Sequence, residues 1–179
     1  MTNYKLTDET ITHGGIILHR IELTKDCRWG KNGDKGGFIE KTENLSEDAW
    51  VLGNARVYGN ARVYGNARVS GNAWVSEDAQ VYGNARVLGY TRVYGNARVL
   101  GDAWVLGNAR VYGNAKVSGD ARVSGDAWVS GDARVYGNAG VSGNAGVYGN
   151  ARLLSGTHSA GYINQPGQGT KLWGVLNEK

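Results

Sequence analysis

From Leu45 to Leu153 an aliphatic residue returns every six positions, nineteen times, without insertion or deletion. Val fills seventeen of these positions and Leu the two ends. An Ala stands two residues before nearly every one, and the intervening residues are large, as in Gly53-Asn54-Ala55-Arg56-Val57-Tyr58. Small, large, aliphatic, large is alternation with period two, the mark of a strand with one face inward. Ala and Val should point in, Arg and Tyr out. Gly with Asn or Asp follows, residue types that readily adopt positive φ. Each hexad therefore predicts one short strand and one tight corner.

Three hexads close a triangular coil, and nineteen make about six coils stacked as parallel strands. At about 4.8 Å per coil the prism would be roughly 29 Å long. Its interior is Val over Val and Ala over Ala, and it gains stability only by stacking, as solenoids do. The ends of such a prism expose strand edges and apolar core, so they need covering. Residues 1–44 read as an N-terminal β cap, with two β-rich runs in Glu9–Leu23 around the turn His13-Gly14-Gly15. Lys25–Gly37 reads as a loop, and Phe38-Ile39 leads into the first coil. Residues 155–179 abandon the period and read as an irregular capping tail, with Lys171–Leu176 a single closing strand. Gly140 and Gly146 replace Arg or Trp on the last coil, either because the tail folds back there or through drift of the repeat.

Stacking every third hexad sorts the outward residues into three faces. Face one carries Trp50, Leu52, Leu88, Trp104 and Leu106, with Arg68, Arg86 and Arg122. Face two carries Arg56/Tyr58, Trp74/Ser76, Arg92/Tyr94, Arg110/Tyr112, Trp128/Ser130 and Gly146/Tyr148. Face three alone lacks Trp and carries Arg62, Tyr64, Tyr82, Arg98, Lys116, Arg134, Tyr136 and Arg152. Trp50 and Trp104, and Trp74 and Trp128, stand 54 residues apart, which points to duplication of a three-coil block. Tyr90-Thr91 is the one corner that replaces Asn-Ala, and a Tyr at positive φ there would cost on the order of 1 kcal/mol.

The hexad resembles the hexapeptide-repeat pattern of left-handed parallel β-helix proteins. That resemblance covers the repeat run and implies the left hand, against the general preference for right-handed crossovers. Residues 34–50 resemble the lead-in of bacterial and phage repeat proteins labelled "polymer-forming" or "putative transferase". The fold expected is thus all-β: a left-handed parallel β-helix of about six triangular coils over residues 45–154, with a hairpin cap before it. The best-known enzymes of this kind are trimeric acyltransferases with a catalytic His on or near the coils. Here no His lies in residues 45–154; His13 and His19 are in the cap and His158 follows the last coil. No catalytic residue carries over.

Composition changes this picture little. The net charge of +4 sits mostly on the repeat, which holds eleven basic and eight acidic residues. Such an excess points only weakly to nucleic acid. The acids, Glu47, Asp48, Glu77, Asp78, Asp102, Asp120, Asp126 and Asp132, occupy corners and serve the turn; no Cys/His spacing suggests zinc. Cys27 has no partner for a disulfide, no charged-then-apolar leader opens the chain, and no apolar run approaches membrane-spanning length. The expectation is a cytoplasmic, non-catalytic protein without metal or cofactor that docks on a host protein or an anionic macromolecule. By resemblance its context is a phage or mobile element and its oligomer a trimer. Trp50, Leu52, Leu88, Trp104 and Leu106 are the candidate apolar contact. Arg62, Tyr64, Tyr82, Arg98, Lys116, Arg134, Tyr136 and Arg152 are the candidate basic one. A trimeric acyltransferase and a self-assembling structural protein are the alternatives.

Overall fold

A computed structural model describes residues 3–164. Two antiparallel strands, β1 (Tyr4–His13) and β2 (Ile16–Leu23), open the chain. Gly14 and Gly15 both take positive φ, 57° and 83°, the geometry of a two-residue turn whose twist matches that of the flanking strands. β2 pairs antiparallel with β3 (Lys35–Ile39), and β3 pairs parallel with Arg56–Val57 of the repeat. The hairpin therefore extends one sheet of the prism past its end.

The coil starts at β3, ahead of Leu45, because Ile39 already stands in register with Val57. As far as Arg134 and Arg152, each rung pairs with the residue eighteen positions on: Arg86 with Trp104, Arg92 with Arg110, Arg98 with Lys116. Three parallel sheets result. Face one has seven strands; face three has six, preceded by a bridge from Leu45 to Val63; face two continues into β3, β2 and β1. The rungs number about seven rather than six. The extra ones come from both ends, where the strict six-residue count hides them.

At the C-terminal end Thr157–His158 pairs with Gly140–Val141, and Tyr162–Ile163 with Gly146–Val147. The tail does return to Gly140 and Gly146, as the next rung stacked beside them. From Leu153 to His158 to Ile163 the chain takes two five-residue steps. Gly156 and Gly161 turn these shorter corners at φ 79° and 74°. The period was shortened, not lost. The closing strand expected at Lys171–Leu176 lies outside the described residues.

Inside, every repeat Ala from Ala55 to Ala151 and every Val from Val51 to Val147 is buried, nearly all at 0% exposure. Backbone N–H groups donate along the axis from rung to rung, as from Arg92 to the Ala109 carbonyl at 3.0 Å. That ladder satisfies the polar backbone around an apolar core. Ile21 and Leu23 of β2 cover the N-terminal end of this core. β3 runs so close to the next coil that a Cβ on Gly37 would stand 2.6 Å from Val51 Cγ1. Tyr4 closes the same end: its hydroxyl lies 2.8 Å from the Leu45 carbonyl and 3.0 Å from that of Thr42. Burial, and secondarily Glu43, push its pKa up to about 12.

Candidate binding surfaces

Positive φ in each corner belongs to the Gly, not to the Asn or Asp after it. Tyr90 is therefore not strained, and its 65% exposure follows simply from its outward corner position. The two non-Gly exceptions are Glu47 and Glu77, both at φ 59° in the Gly place. Glu77 is held partly by its carboxylate, which accepts a hydrogen bond from the Gly95 N–H one rung on, at 2.9 Å. Thr91 takes an Ala place, and its buried hydroxyl has no partner.

The Asn side chains of the corners hydrogen-bond along the axis and end on acids. Asn60 donates to Asp78, Asn84 to Asp102, Asn108 to Asp126 and Asn114 to Asp132, at 2.9–3.2 Å. These carboxylates complete a turn ladder. Among the described residues no group of three or more His, Cys, Asp or Glu could hold a metal ion.

Face one is not the apolar surface expected of it. Trp50 is 2% exposed, sealed under the cap with its ring edge-on to Tyr4 at 6.2 Å. Leu52 is half-buried and packs on the core. Trp104 lies between Arg86 and Arg122, whose guanidinium carbons stand 4.8 and 5.3 Å from its ring. Arginine thus covers both sides of that ring. Leu88 and Leu106 remain on this face, each half-exposed.

Face three keeps its side chains free. Arg62, Arg98, Arg134 and Arg152 are exposed and Lys116 half-exposed. Register places Arg98, Lys116, Arg134 and Arg152 on four successive rungs of one column. At about 4.8 Å per rung they span about 14 Å. Asp78 and Asp132 on one corner, and Asp102 and Asp120 on the other, flank the column. Still, the three ion pairs among the described residues all lie in the N-terminal cap: Lys5–Glu22, Arg20–Glu9 and Lys35–Glu9. Tyr64 and Tyr82 stack beside the column at 4.7 Å with planes 5° apart. Desolvation first, then the neighbouring Tyr82, raises the Tyr64 pKa. Tyr136 is half-exposed further along.

Face two carries a feature that residue sorting alone missed. Ser76 and Ser130, two residues after Trp74 and Trp128, are only 7% and 6% exposed. Trp128 fills the gap in the Tyr column. Tyr94 and Tyr112 stack at 5.0 Å, Tyr112 and Trp128 at 6.4 Å, and Trp128 and Tyr148 at 5.4 Å. Tyr162, 68% exposed, joins Trp128 at 5.9 Å. The legible signal was the pairing of Trp with Ser two residues on, seen at 74/76 and 128/130 but not at 50/52 or 104/106. At the other end of the face, His13 of the hairpin turn sits edge-on to Trp74 at 4.4 Å and to Tyr58 at 5.3 Å. Arg56 donates to His13 Nδ1 at 2.8 Å, so that nitrogen is the acceptor and the proton resides on Nε2.

His158, the remaining candidate base, stands in register with Val141 of the inward column and not on an outer face.

Fold and surfaces together define a β-solenoid repeat protein: a closed apolar prism whose polar chemistry is displayed on flat outer faces. The profile of the family described as "YdcK Beta solenoid repeat" matches residues 55–66, 61–77, 79–92, 91–107, 115–131, 127–143 and 133–149. Together these cover 87 of the 179 residues, and the repeat of this chain is similar to that family's. A comparison with curated proteins found no match. No helix among the described residues is long and apolar enough to cross a membrane.

Proposed function

We propose that this protein is a non-catalytic binding scaffold that docks an anionic macromolecular partner along face three. The observation that carries this reading is the column Arg98, Lys116, Arg134 and Arg152, four cations on consecutive rungs with no ion pair among the described residues. Two unit charges at ~4 Å repel by about 1 kcal/mol even in water. A partner carrying negative charge along its length relieves that repulsion at each rung. A stacked prism also loses little conformational entropy on docking. The resemblance of the lead-in supports a phage or mobile-element protein acting in the host cytoplasm.

The test separates position from net charge. Arg98→Gln/Lys116→Gln/Arg134→Gln removes three charges from face three, and Arg68→Gln/Arg86→Gln/Arg122→Gln removes three from face one. On a heparin column, a stand-in polyanion, the face-three variant should elute at clearly lower salt than the face-one variant. Equal elution of the two would mean that only bulk charge matters, and the face-three reading would fall.

A second reading, self-assembly, is favoured by one feature. β1 is the outermost strand of its sheet, ten residues long and unpaired on one side among the described residues. Such an edge invites another chain, although the register shift between Leu6 and Thr10 blunts it. Light scattering distinguishes the two: a mass that grows with concentration supports assembly, and a constant mass sets it aside. The same measurement reads out the trimer that the family resemblance suggests.

A further inference from the structure

Trp74 and Trp128 are the same position in the two copies of the three-coil block, yet they sit differently. Trp74 has guanidinium groups on both sides: Arg56 at 5.5 Å and Arg92 at 4.6 Å from its ring. The counterparts around Trp128 are Arg110 and Gly146. The Arg110 side chain makes no hydrogen bond, ion pair or ring contact among the described residues, and the Arg that would match Arg92 has become glycine. The glycine has a steric cause: a Cβ at Gly146 would stand 2.5 Å from Trp128 Cε2 and 2.6 Å from Cζ2. Its removal lets the indole lie against the sheet and join the tyrosine stack. The second block has given up one covering arginine and disengaged the other.

What this opens is a groove of about 290 Å³ lined by Tyr94, Asn108, Arg110, Tyr112, Asp126 and Trp128. One side is aromatic. The other is a set of planar polar groups: an amide, a carboxylate and a guanidinium. Asn108 already spends one amide N–H on Asp126 at 2.9 Å, which leaves its carbonyl oxygen and the outer oxygen of Asp126 as acceptors beside the donors of Arg110. Arg110 and Asp126 cancel in charge, so the groove does not select an anion as face three does. We infer that this groove binds one neutral pyranose unit of a saccharide. The apolar C–H face of the sugar would lie on the rings. Its vicinal hydroxyls, each both donor and acceptor, would pair with Arg110 on one side and with Asn108 and Asp126 on the other. A small, open site of this size lies at the lower limit of ligand pockets, so affinity is expected to be weak, with Kd about 1 mM.

The site is separate from face three, and so is its test. Maltose, lactose, cellobiose and chitobiose are titrated against the full chain while tryptophan fluorescence and ligand-detected NMR are followed. At least one should bind in the millimolar range. Trp128→Ala and Arg110→Ala should each weaken it tenfold or more, and Trp104→Ala should leave it unchanged. Gly146→Ala should weaken it as well by displacing the indole, with circular dichroism confirming that the prism is intact. No binding by any of the four sugars, or binding that survives Trp128→Ala and Arg110→Ala, overturns the inference. Neither result bears on the heparin comparison.

Discussion

At the scale of single residues the prism tolerates outward change and resists inward change. Val99 and Val105 are fully buried in a column of valines. Val99→Asp would place an unpaired charge there, at a cost of roughly 3 kcal/mol or more. The expected outcome is loss of a cooperative urea transition, or a midpoint far below that of the parent protein. Thr91 is the opposite case. Its buried hydroxyl has no partner in a column otherwise filled by Ala. Thr91→Ala removes an unsatisfied group and should stabilise the fold by about 1 kcal/mol. Equilibrium denaturation checks the sign, and a destabilised variant would mean that the methyl group packs better than the hydroxyl costs. The sequence shows Thr91 as an irregularity but not its meaning, because inward direction turns a small polar change into an orphan hydroxyl. It also misplaces the strain at Tyr90, since only the backbone distinguishes the Gly of each corner from the residue after it.

The elements differ in how they are held. Interior rungs are fixed by ladders on both sides, whereas the hairpin β1–β2 is held at its open end by the β2–β3 pairing, Tyr4 and the core residues Ile21 and Leu23, and at its other end by the docking of its turn. His13 is the hinge of that docking. Burial first, then Arg56 and Arg92, lower its pKa below the ordinary 6.5. A lowered folded value means that the detached turn binds the proton more readily than the docked one. Docking is therefore at full strength above pH 6.5 and weakens as pH falls through and below it. Protonation would also set a cation against Arg56 and destroy the acceptor at Nδ1. Amide exchange at β1 should accelerate on going from pH 7.5 to 5.5, after correction for intrinsic rates, while the interior rungs hold. His13→Phe should abolish that difference. The hairpin itself was legible from the turn His13-Gly14-Gly15 and the alternation around it. Its landing place on Trp74 and Tyr58 was not, because nothing in local pattern says which face a hairpin will cover. For the same reason Trp50 reads as an outer ladder residue: its outward parity is correct, and the cap that buries it comes from a distant segment.

For the whole molecule, stability should behave as a sum of similar rungs. Deletion of residues 72–125 joins Gly71 to Asp126 in unchanged register and removes one three-coil block. The shortened chain should fold, with the same strand signature in circular dichroism and a lower melting temperature. An unfolded product would show that the block is not a repeating unit. The prism was the most legible part of this protein, because one period fixed strand, corner and stacking together. The five-residue steps through His158 and Ile163 escaped notice because a strict count of six treats any shorter corner as an end.

Function is the property of the whole molecule that rests on the fewest residues. The proposed function lies outside the core, on cations held in register by the core. The most direct measurement is capture of partners from a lysate of the natural host, using three forms of the full chain in parallel: parent, the face-three variant Arg98→Glu/Lys116→Glu/Arg134→Glu, and the face-one variant Arg68→Glu/Arg86→Glu/Arg122→Glu. A partner bound by the parent and the face-one form, released by salt, and lost from the face-three form is the predicted result. A partner retained equally by all three forms would contradict it.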